Sequence, residues 1–474
     1  MSKLTEFYEY IKGKRVSVVG IGISNTPLID FLLSHGAVVT ARDMKPAEKL
    51  GTVASELENK GVRLILGEKY LENLDDEIIF RAPGIRPDIP EFKKAVENGS
   101  TLTSEMELFF ELCPCRIFGI TGSDGKTTTT TLTYMFLRLE AEKRHSGVKV
   151  YVGGNIGTPL LPLIDQIKPT DYAVVELSSF QLQNMKRSPF AAAITNVTPN
   201  HLNWHTGMEE YTRAKENIFR NPGNERLVLN WGCDATREMA GLTRADVTFF
   251  SAKSEPELRK ALYAIYEKDG GIEDDEIVRK NAWGEETLLK ISDIKLPGRH
   301  NVENYMAAIG LTWGFVGKDV IREVAKTFGG VEHRCEFVRE FNGVKYYNSS
   351  IDSSPTRTEA ALRAFHQKVI VICGGYDKHI PYEPLAKPLI DCAKAVILTG
   401  DTAPKIKSAL VSSPEYKGEP PVYESDTFEG AVELSKKIAQ SGDIVILSPA
   451  SASFDRFKNF EERGRYFKKL VNEF

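Results

Sequence analysis

The chain has 474 residues, which is enough for about three domains that each bury a core of their own. Its 61 basic and 65 acidic residues give a net charge of -4, so charge gives no reason to expect nucleic acid or an anionic membrane as the main partner. No apolar run approaches the about 20 residues that span a bilayer, and the first residues carry scattered charges, so we expect a cytoplasmic protein.

Short runs rich in valine and isoleucine alternate with longer amphipathic segments. The first series contains VSVVG, AVVTARD and VRLILG, with a charged helix over residues 47–60; the second contains RIFGI, KVYVGGN, YAVVEL, AAAITNV and RLVLNW; the third contains KYYNSS, KVIVICGG, AKAVILTGD and DIVILSPAS. This alternation is typical of parallel βαβ units. We therefore predict three consecutive α/β domains over residues 1–112, 113–330 and 331–474, divided where proline or glycine interrupts the pattern.

The first predicted strand is followed by the loop GIGISN, and Asp43 closes the next strand. This arrangement is similar to the dinucleotide fingerprint G-x-G-x-x-G with its acidic residue, although Asn25 stands at the third glycine position. By itself the motif fits a turn that serves only the fold as well as it fits a nucleotide site. A ligand here would place a diphosphate near the helix start and a ribose or base near Asp43.

The segment TGSDGKTT, residues 121–128, follows the strand RIFGI. Glycine lets backbone N–H groups approach phosphate oxygens, a helix amino terminus favours anions, and Lys126 can reach the outer phosphates. The strict phosphate-loop spacing needs glycine where Ile120 stands, so this is a variant of that loop. We predict a bound triphosphate, with the Thr127 hydroxyl helping to hold Mg²⁺; an ordinary loop is the alternative.

Three further residues come after strands or within a helix of the same predicted sheet. Glu176 ends the strand YAVVEL, where an acidic residue commonly completes a Mg²⁺ shell, although such a carboxylate can also be idle. His201 follows another strand in NVTPNHLNWH and is either a site residue or a packing residue. Lys215 lies in the middle of the helix EEYTRAKENIF, and this position predicts a solvated surface cation.

Two segments of the third series suit the binding of a carboxylate. CGGYDKH places Lys378 after a strand and a glycine pair, and SPASASFDRFKNFEERG places small hydroxyl residues at a strand-to-helix turn. Backbone N–H groups, serines and an ammonium group are suitable partners for such an anion.

Ten segments in this order resemble the Mur ligase family over essentially the full chain. They are TGSDGKTT, GGNIGTPL, ELSSFQL, NVTPNHLNWH, YTRAKENIF, LPGRHNVENYMAA, HRCEFV, NSSIDSSPTRTEAAL, GGYDK and LSPASASFDRFKNFEERG. The last segment is most similar to the branch that adds D-glutamate. The resemblance implies a Rossmann-like first domain for a UDP group, a central ATPase domain of the P-loop type, and a Rossmann-like carboxy-terminal domain for the amino acid.

The resemblance also implies the reaction. ATP phosphorylates the carboxylate of UDP-N-acetylmuramoyl-L-alanine, the amine of D-glutamate attacks the acyl phosphate, and ADP and phosphate leave. The implied cofactors are ATP and two Mg²⁺ ions, together with a carbamylated lysine at Lys215. The implied enzyme is a monomer of the bacterial cytoplasm that acts on small molecules in peptidoglycan precursor synthesis.

By the same resemblance, site residues can be assigned in four groups. The nucleotide contacts are Gly122, Ser123, Asp124, Gly125, Lys126, Thr127, Thr128, Asn301, Asn304, His333 and Arg334. The UDP side comprises Gly22, Ile23, Asp43, Ala82, Pro83, Gly84, Asn155 and His201, and the D-glutamate pocket comprises Ser353, Lys378, Ser453 and Phe460. One Mg²⁺ would lie at Thr127 and Glu176, and a second at His201 and the Lys215 carbamate; the catalytic residues would be Lys126, Glu176, His201 and Lys215. His201 could be a metal ligand or a hydrogen-bond donor, and we favour the ligand.

The chain departs from the family pattern at several positions. Ser349 stands where an aspartate is usual and Ile351 where a lysine is common, although Asp352 could compensate; Asn200 replaces a common aspartate before His201. Three other hypotheses stay open. They are a Mur ligase for another amino acid, a nicotinamide-dependent oxidoreductase that uses the GIGISN loop, and a regulatory ATP-binding protein without catalysis.

Overall fold

A computed structural model describes residues 2–22, 25–202, 204–253, 255–270, 274–365, 367–378 and 380–474. The chain packs into two compact units, one formed by Met1–Leu289 with Glu303–Ile321 and the other by Lys290–Val302 with Arg322–Phe474. The first unit contains two sheets and the second contains one. In the ranges given above, no helix is both long and apolar enough to cross a membrane.

The first sheet has five parallel strands in the order β3-β2-β1-β4-β5. Its strands are β1 (Arg15–Val19), β2 (Val38–Asp43), β3 (Arg63–Leu66), β4 (Ile78–Arg81) and β5 (Thr101–Thr103). The helices of this region are α1 (Lys3–Ile11), α2 (Asn25–Ser34), α3 (Ala47–Leu50), α4 (Thr52–Asn59), α5 (Pro90–Glu97) and α6 (Glu105–Leu112). The single helix expected over residues 47–60 is two helices, because Gly51 between them has φ of 60° and breaks the helical path.

The second sheet has nine strands in the order β14-β13-β12-β11-β10-β9-β6-β8-β7, and β6 lies between β8 and β9. Its strands are β6 (Arg116–Thr121), β7 (Val150–Gly154), β8 (Tyr172–Glu176), β9 (Ala191–Ile194), β10 (Arg226–Asn230), β11 (Asp246–Ser251), β12 (Tyr263–Lys268), β13 (Glu276–Asn281) and β14 (Gly284–Lys290). The α-helices are α7 (Lys126–Lys143), α8 (Ser179–Leu182), α9 (Met208–Arg220) and α10 (Asp234–Glu238). Short 3₁₀ helices span Leu161–Gln166, Met239–Leu242, Leu258–Lys260 and Ile291–Asp293.

The third sheet has six strands in the order β15-β16-β20-β17-β18-β19, all parallel except β15. Its strands are β15 (Glu336–Phe341), β16 (Val344–Asn348), β17 (Val369–Cys373), β18 (Ala393–Leu398), β19 (Val422–Glu424) and β20 (Ile444–Leu447). The helices are α11 (Arg299–Leu311) and α12 (Lys318–Thr327), which both run from one unit into the other, followed by α13 (Pro355–Arg363), α14 (Glu383–Cys392), α15 (Ala403–Val411), α16 (Phe428–Ile438) and α17 (Phe460–Asn472). The prediction of three α/β domains with parallel sheets is confirmed, while the exact boundaries stay a prediction.

Candidate active site

The glycine-rich loop connects the carboxyl end of β6 to the first turn of α7. Gly125 precedes Lys126, the first residue of α7, and has φ of 78°. A Cβ atom at Gly125 would lie 2.3 Å from Oδ1 of Asn304, so any larger residue would require this asparagine to move. The structure therefore brings Asn304, a predicted nucleotide contact, next to the loop. The amino terminus of α7 also lies at this loop, and the backbone N–H groups at the start of a helix favour the binding of an anion.

The loop is also held from the segment that follows β9. The Ser123 hydroxyl donates to the Thr198 carbonyl oxygen at 2.9 Å and accepts from the Thr198 N–H at the same distance. The N–H of Asp124 donates to Oδ1 of Asn196 at 2.9 Å. Ser123 is buried and Asp124 is exposed, so the serine fixes the shape of the loop while the aspartate side chain reaches solvent.

Two lysines converge on one carbonyl of this loop. Nζ of Lys126 donates to the carbonyl oxygens of Gly122 and Ser123 at 3.0 and 2.9 Å. Nζ of Lys215, from α9, donates to the same Gly122 oxygen at 2.8 Å and lies 4.4 Å from the centre of the Tyr211 ring. The structure thus places the two predicted catalytic lysines side by side.

The position of Lys215 corrects the expectation of a surface cation. Its side chain is buried, with 1% of its surface exposed. Burial, and next the charge of Lys126, lower the pKa of Lys215 well below its usual range, against a smaller opposing effect of Asp124. An amine with a lowered pKa is more often neutral, and the neutral form is the nucleophile.

Glu176 lies at the carboxyl end of β8, next to the loop. Its backbone pairs with Ile120 of β6, and its Oε1 accepts from Nδ2 of Asn155 at 2.8 Å. The N–H of Asn155 donates to the Glu176 carbonyl oxygen at 2.9 Å, so the two residues are joined twice. The carboxylate is 1% exposed, and among the described residues its Oε2 atom has no hydrogen-bond partner. A buried oxygen of this kind is suited to an additional ligand.

These side chains fit the predicted Mg²⁺ on the nucleotide. Thr127 and Thr128 are buried in the first turn of α7, and the Oε2 atom of Glu176 is available at the neighbouring strand end. Hydroxyl and carboxylate oxygens are the ligands that Mg²⁺ prefers, with phosphate oxygens and water in the other positions. No group of three or more His, Cys, Asp and Glu side chains that could hold a metal occurs in the part of the chain that the structure covers. The predicted ion would therefore depend on the nucleotide for several of its ligands.

His201 lies in the segment between β9 and α9, at the same sheet edge as the glycine-rich loop and Glu176. It is exposed, has φ of 55°, and its ring lies 4.9 Å from the ring centre of Phe180 in an edge-to-face arrangement. Its N–H donates to Oδ1 of Asn200 at 2.9 Å, so Asn200 orients the backbone of the histidine. The imidazole is therefore exposed at this edge while one side of it packs against Phe180.

The predicted UDP residues of the first sheet lie in two adjoining loops. A side chain at Gly20 would begin 2.7 Å from Cβ of Ala82, so the loop after β1 touches the turn Ala82–Pro83–Gly84 after β4. The Asp43 carboxylate accepts from the N–H groups of Ile21 and Lys45 at 2.6 and 2.8 Å, and it thereby fixes the first loop. Gly22 is exposed at this loop, and Ile23 lies outside the described residues.

Sequence reasoning missed Arg81, which is buried at the end of β4. Its Nη1 donates to the carbonyl oxygen of Ile85 at 3.1 Å, across the predicted UDP turn, and its Nη2 donates to that of Phe180 at 3.3 Å. Burial lowers the pKa of Arg81 from its usual value. A charged residue at the end of the apolar strand IIFR is a signal in the sequence, but its distant partner is not.

In the second unit, three loops carry the predicted amino-acid site. The N–H of Tyr376 donates to the Ala452 carbonyl oxygen at 2.9 Å, which brings the loop of Lys378 beside the loop of Ser453. The Ser350 hydroxyl donates to the Phe460 carbonyl oxygen at 2.8 Å, which brings the segment of Ser353 to the same place. Lys378 is exposed, Ser453 is buried, and Ser353 and Phe460 are partly buried.

Arg463 joins these loops and was not predicted as a site residue. It is 2% exposed, and its guanidinium donates to the carbonyl oxygens of Ala452 and Ser350 at 2.8 Å each and to that of Ser451 at 3.1 Å. Burial lowers its pKa to about 10. Helical spacing with Phe467 and Val471, both buried, is the signal that could have indicated its inward direction.

The remaining predicted nucleotide residues lie in the second unit, apart from Asn304. Asn301 donates from Nδ2 to the Pro297 carbonyl oxygen at 2.6 Å, His333 is buried with φ of 65°, and Arg334 follows it in a turn. Asp352 is also buried: its Oδ2 accepts from Ser448 at 2.8 Å, and burial raises its pKa to about 6. Ser349 accepts from the N–H of Cys335 at 3.1 Å, so the residue that departs from the family pattern has a structural partner here.

Comparisons with known proteins identify the family. The Mur ligase middle domain matches residues 120–312, and the Mur ligase glutamate ligase domain matches residues 333–451. A UDP-N-acetylmuramoylalanine–D-glutamate ligase of Acetivibrio thermocellus is 51% identical over 99% of both chains, and one of Clostridium novyi is 50% identical over 98% of both. The fold is similar to that of the UDP-N-acetylmuramate–alanine ligase MurC of Thermotoga maritima, with a TM-score of 0.56 and 20% identity over 97% of this chain and 99% of that one. The chain belongs to the Mur ligase family.

Proposed function

We propose that this chain is an ATP-dependent ligase that joins D-glutamate to UDP-N-acetylmuramoyl-L-alanine in the synthesis of a peptidoglycan precursor. The observation that carries the proposal is the 51% identity, over 99% of both chains, to a UDP-N-acetylmuramoylalanine–D-glutamate ligase. The two lysines at the glycine-rich loop and Glu176 beside it are consistent with a phosphoryl transfer at this edge of the sheet. We further propose a monomer in the bacterial cytoplasm.

The first step needs positive charge at the glycine-rich loop. The substrate carboxylate attacks the γ-phosphorus of ATP, an acyl phosphate forms, and the bond between the γ-phosphorus and the ADP oxygen breaks. Both reactants are anions, so the charge to be neutralised grows in the transition state. Lys126 is the residue for this role, because its ammonium already lies at the amino terminus of α7.

Thr127 and Glu176 would hold one Mg²⁺, and His201 with modified Lys215 would hold a second. When bound, the ions supply positive charge to the phosphate oxygens and orient them. Asn155 fixes the rotation of the Glu176 carboxylate through its 2.8 Å hydrogen bond to Oε1, which leaves Oε2 for the ion.

Lys215 would act as a carbamate. A neutral amine adds to carbon dioxide, a C–N bond forms, one proton is released, and the product is an anion that can bind a metal. Burial supports this assignment because it disfavours the ammonium form of Lys215. The neighbouring Lys126 would then face an anion and not a second cation.

The second step takes place at the amino acid. The neutral amine of D-glutamate attacks the acyl carbon, the amide C–N bond forms, the bond from this carbon to the phosphate oxygen breaks, and inorganic phosphate and one proton are released. Lys378, Ser353, Ser453 and Phe460 would hold the amino acid, and the two carboxylates of D-glutamate suit the Lys378 ammonium and the serine hydroxyl groups. Arg463 would keep the loops of this pocket together through its carbonyl contacts.

The experiment is a coupled phosphate-release assay in which each reactant is omitted in turn. Release should require UDP-N-acetylmuramoyl-L-alanine, ATP, Mg²⁺ and D-glutamate together, and L-glutamate should not replace D-glutamate. A panel of other amino acids separates this enzyme from a ligase for a different amino acid. Release that D-glutamate does not stimulate would refute the assigned substrate.

The carbamate is tested separately. Activity should fall when carbon dioxide is rigorously removed from the buffers and should return when bicarbonate is added. A ¹³C-carbamate resonance that is present in the wild type and missing from Lys215→Arg would identify the residue. A rate of phosphate release that does not change when carbon dioxide is removed would show that Lys215 has only a structural role.

A further inference from the structure

Arg86 follows the predicted UDP turn and contacts both the segment before α9 and the first turn of α9. Its Nη1 donates to the Trp204 carbonyl oxygen at 2.6 Å, and its Nη2 donates to Oε1 of Glu210 at 2.9 Å. The guanidinium lies 5.0 Å from the centre of the Trp204 ring. Its Nε also donates to Asp88 at 2.8 Å, which holds the side chain in this direction. One residue therefore connects segments that are 118 and 124 positions away in the chain.

Trp204 makes contacts with both sides of the candidate site. Its Nε1 donates to the Gly84 carbonyl oxygen at 3.0 Å, and Gly84 belongs to the turn after β4. The backbone N–H groups of Trp204 and His205 both donate to the His201 carbonyl oxygen at 3.0 Å. His201 thus begins the turn that Arg86 and Gly84 hold at its other end.

Glu210 lies in the first turn of α9, the helix that carries Lys215. It accepts from Arg86, from Nε2 of Gln183 at 3.0 Å and from the Thr206 hydroxyl at 2.9 Å. Burial raises the pKa of Glu210, but the hydrogen bonds of Arg86 and Thr206 outweigh this and lower it to about 2. The carboxylate is therefore charged at neutral pH. An isolated ion pair on the surface adds little to stability. The pair of Arg86 and Glu210 is instead part of a partly buried hydrogen-bond network, in which the planar guanidinium has several partners.

A second arginine, Arg81, also connects the turn after β4 with the surroundings of His201. Arg81 donates to the Phe180 carbonyl oxygen at 3.3 Å, and the Phe180 ring packs against the ring of His201. The turn after β4 thus has two independent connections to the surroundings of His201. Residues 195–202 and 204–207 lie between β9 and α9, outside both elements, and side-chain contacts of this kind add to their few backbone hydrogen bonds.

We propose that Arg86 is a positioning residue of the reaction. It holds His201 and the first turn of α9 at a fixed distance from the turn Ala82–Pro83–Gly84. The inference rests on the proposed function, because it takes that turn as the UDP-substrate side and His201 with Lys215 as the side that activates the carboxylate. A displacement of about 1 Å between such groups can cost about 100-fold in rate. By connecting the UDP-substrate side with the side of His201 and Lys215, Arg86 keeps the substrate carboxylate close to the γ-phosphoryl group of ATP.

The test compares Arg86→Gln and Arg86→Lys with a matched control. Arg220 of α9 forms a similar pair within the helix, with Nε 2.8 Å from Oε2 of Glu216, and among the described residues no hydrogen bond joins its side chain to either loop of the site. Arg86→Gln should lower kcat roughly 30-fold and raise both the KM for the UDP substrate and the half-saturating Mg²⁺ concentration about tenfold, with the KM for ATP within about twofold. Arg220→Gln should leave all of these values within about twofold of the wild type.

Arg86→Lys separates geometry from charge. Lysine keeps the positive charge but lacks the planar fork that bonds Trp204 and Glu210 at once. We expect Arg86→Lys to unfold at the thermal midpoint of the wild type but to have only about a tenth of the wild-type kcat. Full recovery by lysine would show that charge alone is needed and would overturn the positioning role.

A second measurement does not depend on activity. Hydrogen–deuterium exchange of the peptide that covers residues 198–207 should be about tenfold faster in Arg86→Gln than in the wild type or in Arg220→Gln. Unchanged exchange, an unchanged Mg²⁺ titration, or equal increases in the KM values for ATP and the UDP substrate would overturn the inference. If the wild type releases no phosphate with all reactants present, the proposed function fails, and the exchange measurement alone then decides whether Arg86 holds this loop.

Discussion

Replacing Lys215 by methionine is expected to stabilise the protein and to abolish its activity. The Lys215 side chain is 1% exposed, and its amine contacts a backbone carbonyl and an aromatic ring. Lys126 donates to the same carbonyl oxygen, so a charged Lys215 would be both out of water and beside a second cation. Such a charge is costly, whereas methionine has a similar length and is apolar and flexible.

The expected gain is about 2 kcal/mol at pH 8. Burial and the charge of Lys126 lower the pKa of Lys215 well below its ordinary value of 10.5. Each pH unit by which the folded chain lowers the pKa of Lys215 costs about 1.4 kcal/mol, and the cost at pH 8 has an upper limit of about 3 kcal/mol. The lost hydrogen bond to Gly122 offsets about 1 kcal/mol of this.

The gain should shrink as the pH rises. Between the lowered pKa and 10.5, the unfolded chain binds a proton at Lys215 that the folded chain lacks. The free energy of unfolding of the wild type therefore rises with pH in this range, whereas that of the methionine variant has no such contribution. The difference between the two proteins should fall towards zero at about pH 10.

Urea unfolding in buffer free of carbon dioxide measures the free energy of unfolding of the protein with Lys215 as an amine and not as a carbamate. Arg213→Met is the control, because Arg213 is exposed on the same helix, and it should change the free energy of unfolding by no more than about 0.5 kcal/mol. Phosphate release by Lys215→Met should fall by about 1,000-fold, since the proposed carbamate cannot form on methionine. A methionine variant that unfolds at lower urea than the wild type would refute the idea that the buried amine destabilises the fold.

Three further substitutions examine the loop and its neighbours. Lys126→Ala should remove turnover while the free energy of unfolding stays within about 0.5 kcal/mol, and a retained rate in the phosphate assay would contradict its role. Asn155→Ala should raise the half-saturating Mg²⁺ concentration about tenfold, because Glu176 loses the partner that orients it; an unaltered titration would argue against this. Gly125→Ala should cost about 1–3 kcal/mol and weaken ATP binding in calorimetry, because its Cβ would meet Asn304 at a φ of 78°; wild-type affinity would count against the loop as the nucleotide site.

The central strands could be predicted because they are buried on both faces. VIVIC of β17 and YAVVE of β8 are almost continuous apolar runs, as expected of parallel strands covered by helices. The edge strand β14, GEETLLK, and its neighbour β13, EIVRKN, mix charged and apolar residues because each is partly exposed, and no strand was predicted there. Burial on both faces, more than strand propensity, decides which strands the sequence reveals.

The site was predicted in part. The loops after β6, β8 and β9 could be located because each follows a recognisable strand. The expectation of a surface Lys215 was wrong, although helical spacing places it with Tyr211, Ala214, Ile218 and Phe219, which are all buried. The expectation was wrong because it relied on the usual exposure of lysine and not on the position of Lys215 on the apolar face of the helix. Contacts such as that between Arg86 and Glu210 join residues 124 positions apart, and no local pattern encodes them.

Sheet topology explains why the predicted site residues gather where they do. In the first sheet the chain runs outward from β1 through β2 to β3 and then returns to the other side of β1 with β4, so the strand order reverses between β1 and β4. In the second sheet β6 has β8 on one side and β9 on the other, and in the third β20 lies between β16 and β17. Ligands of open α/β sheets bind at the carboxyl ends of strands at such reversals.

The same topology assigns a reason to the residues that sequence reasoning missed. Loops that follow the carboxyl ends of parallel strands are not joined by a ladder of backbone hydrogen bonds, so long side-chain donors connect them. Arg81 and Arg86 do so beside β4, and Arg463 does so among the loops after β16 and β20, each by donating to backbone carbonyl oxygens. A guanidinium can bond several carbonyls at once, which lysine cannot do in a fixed plane. Conservative replacement of these arginines by lysine should therefore alter the geometry of a site before it alters the stability of the sheet beneath it.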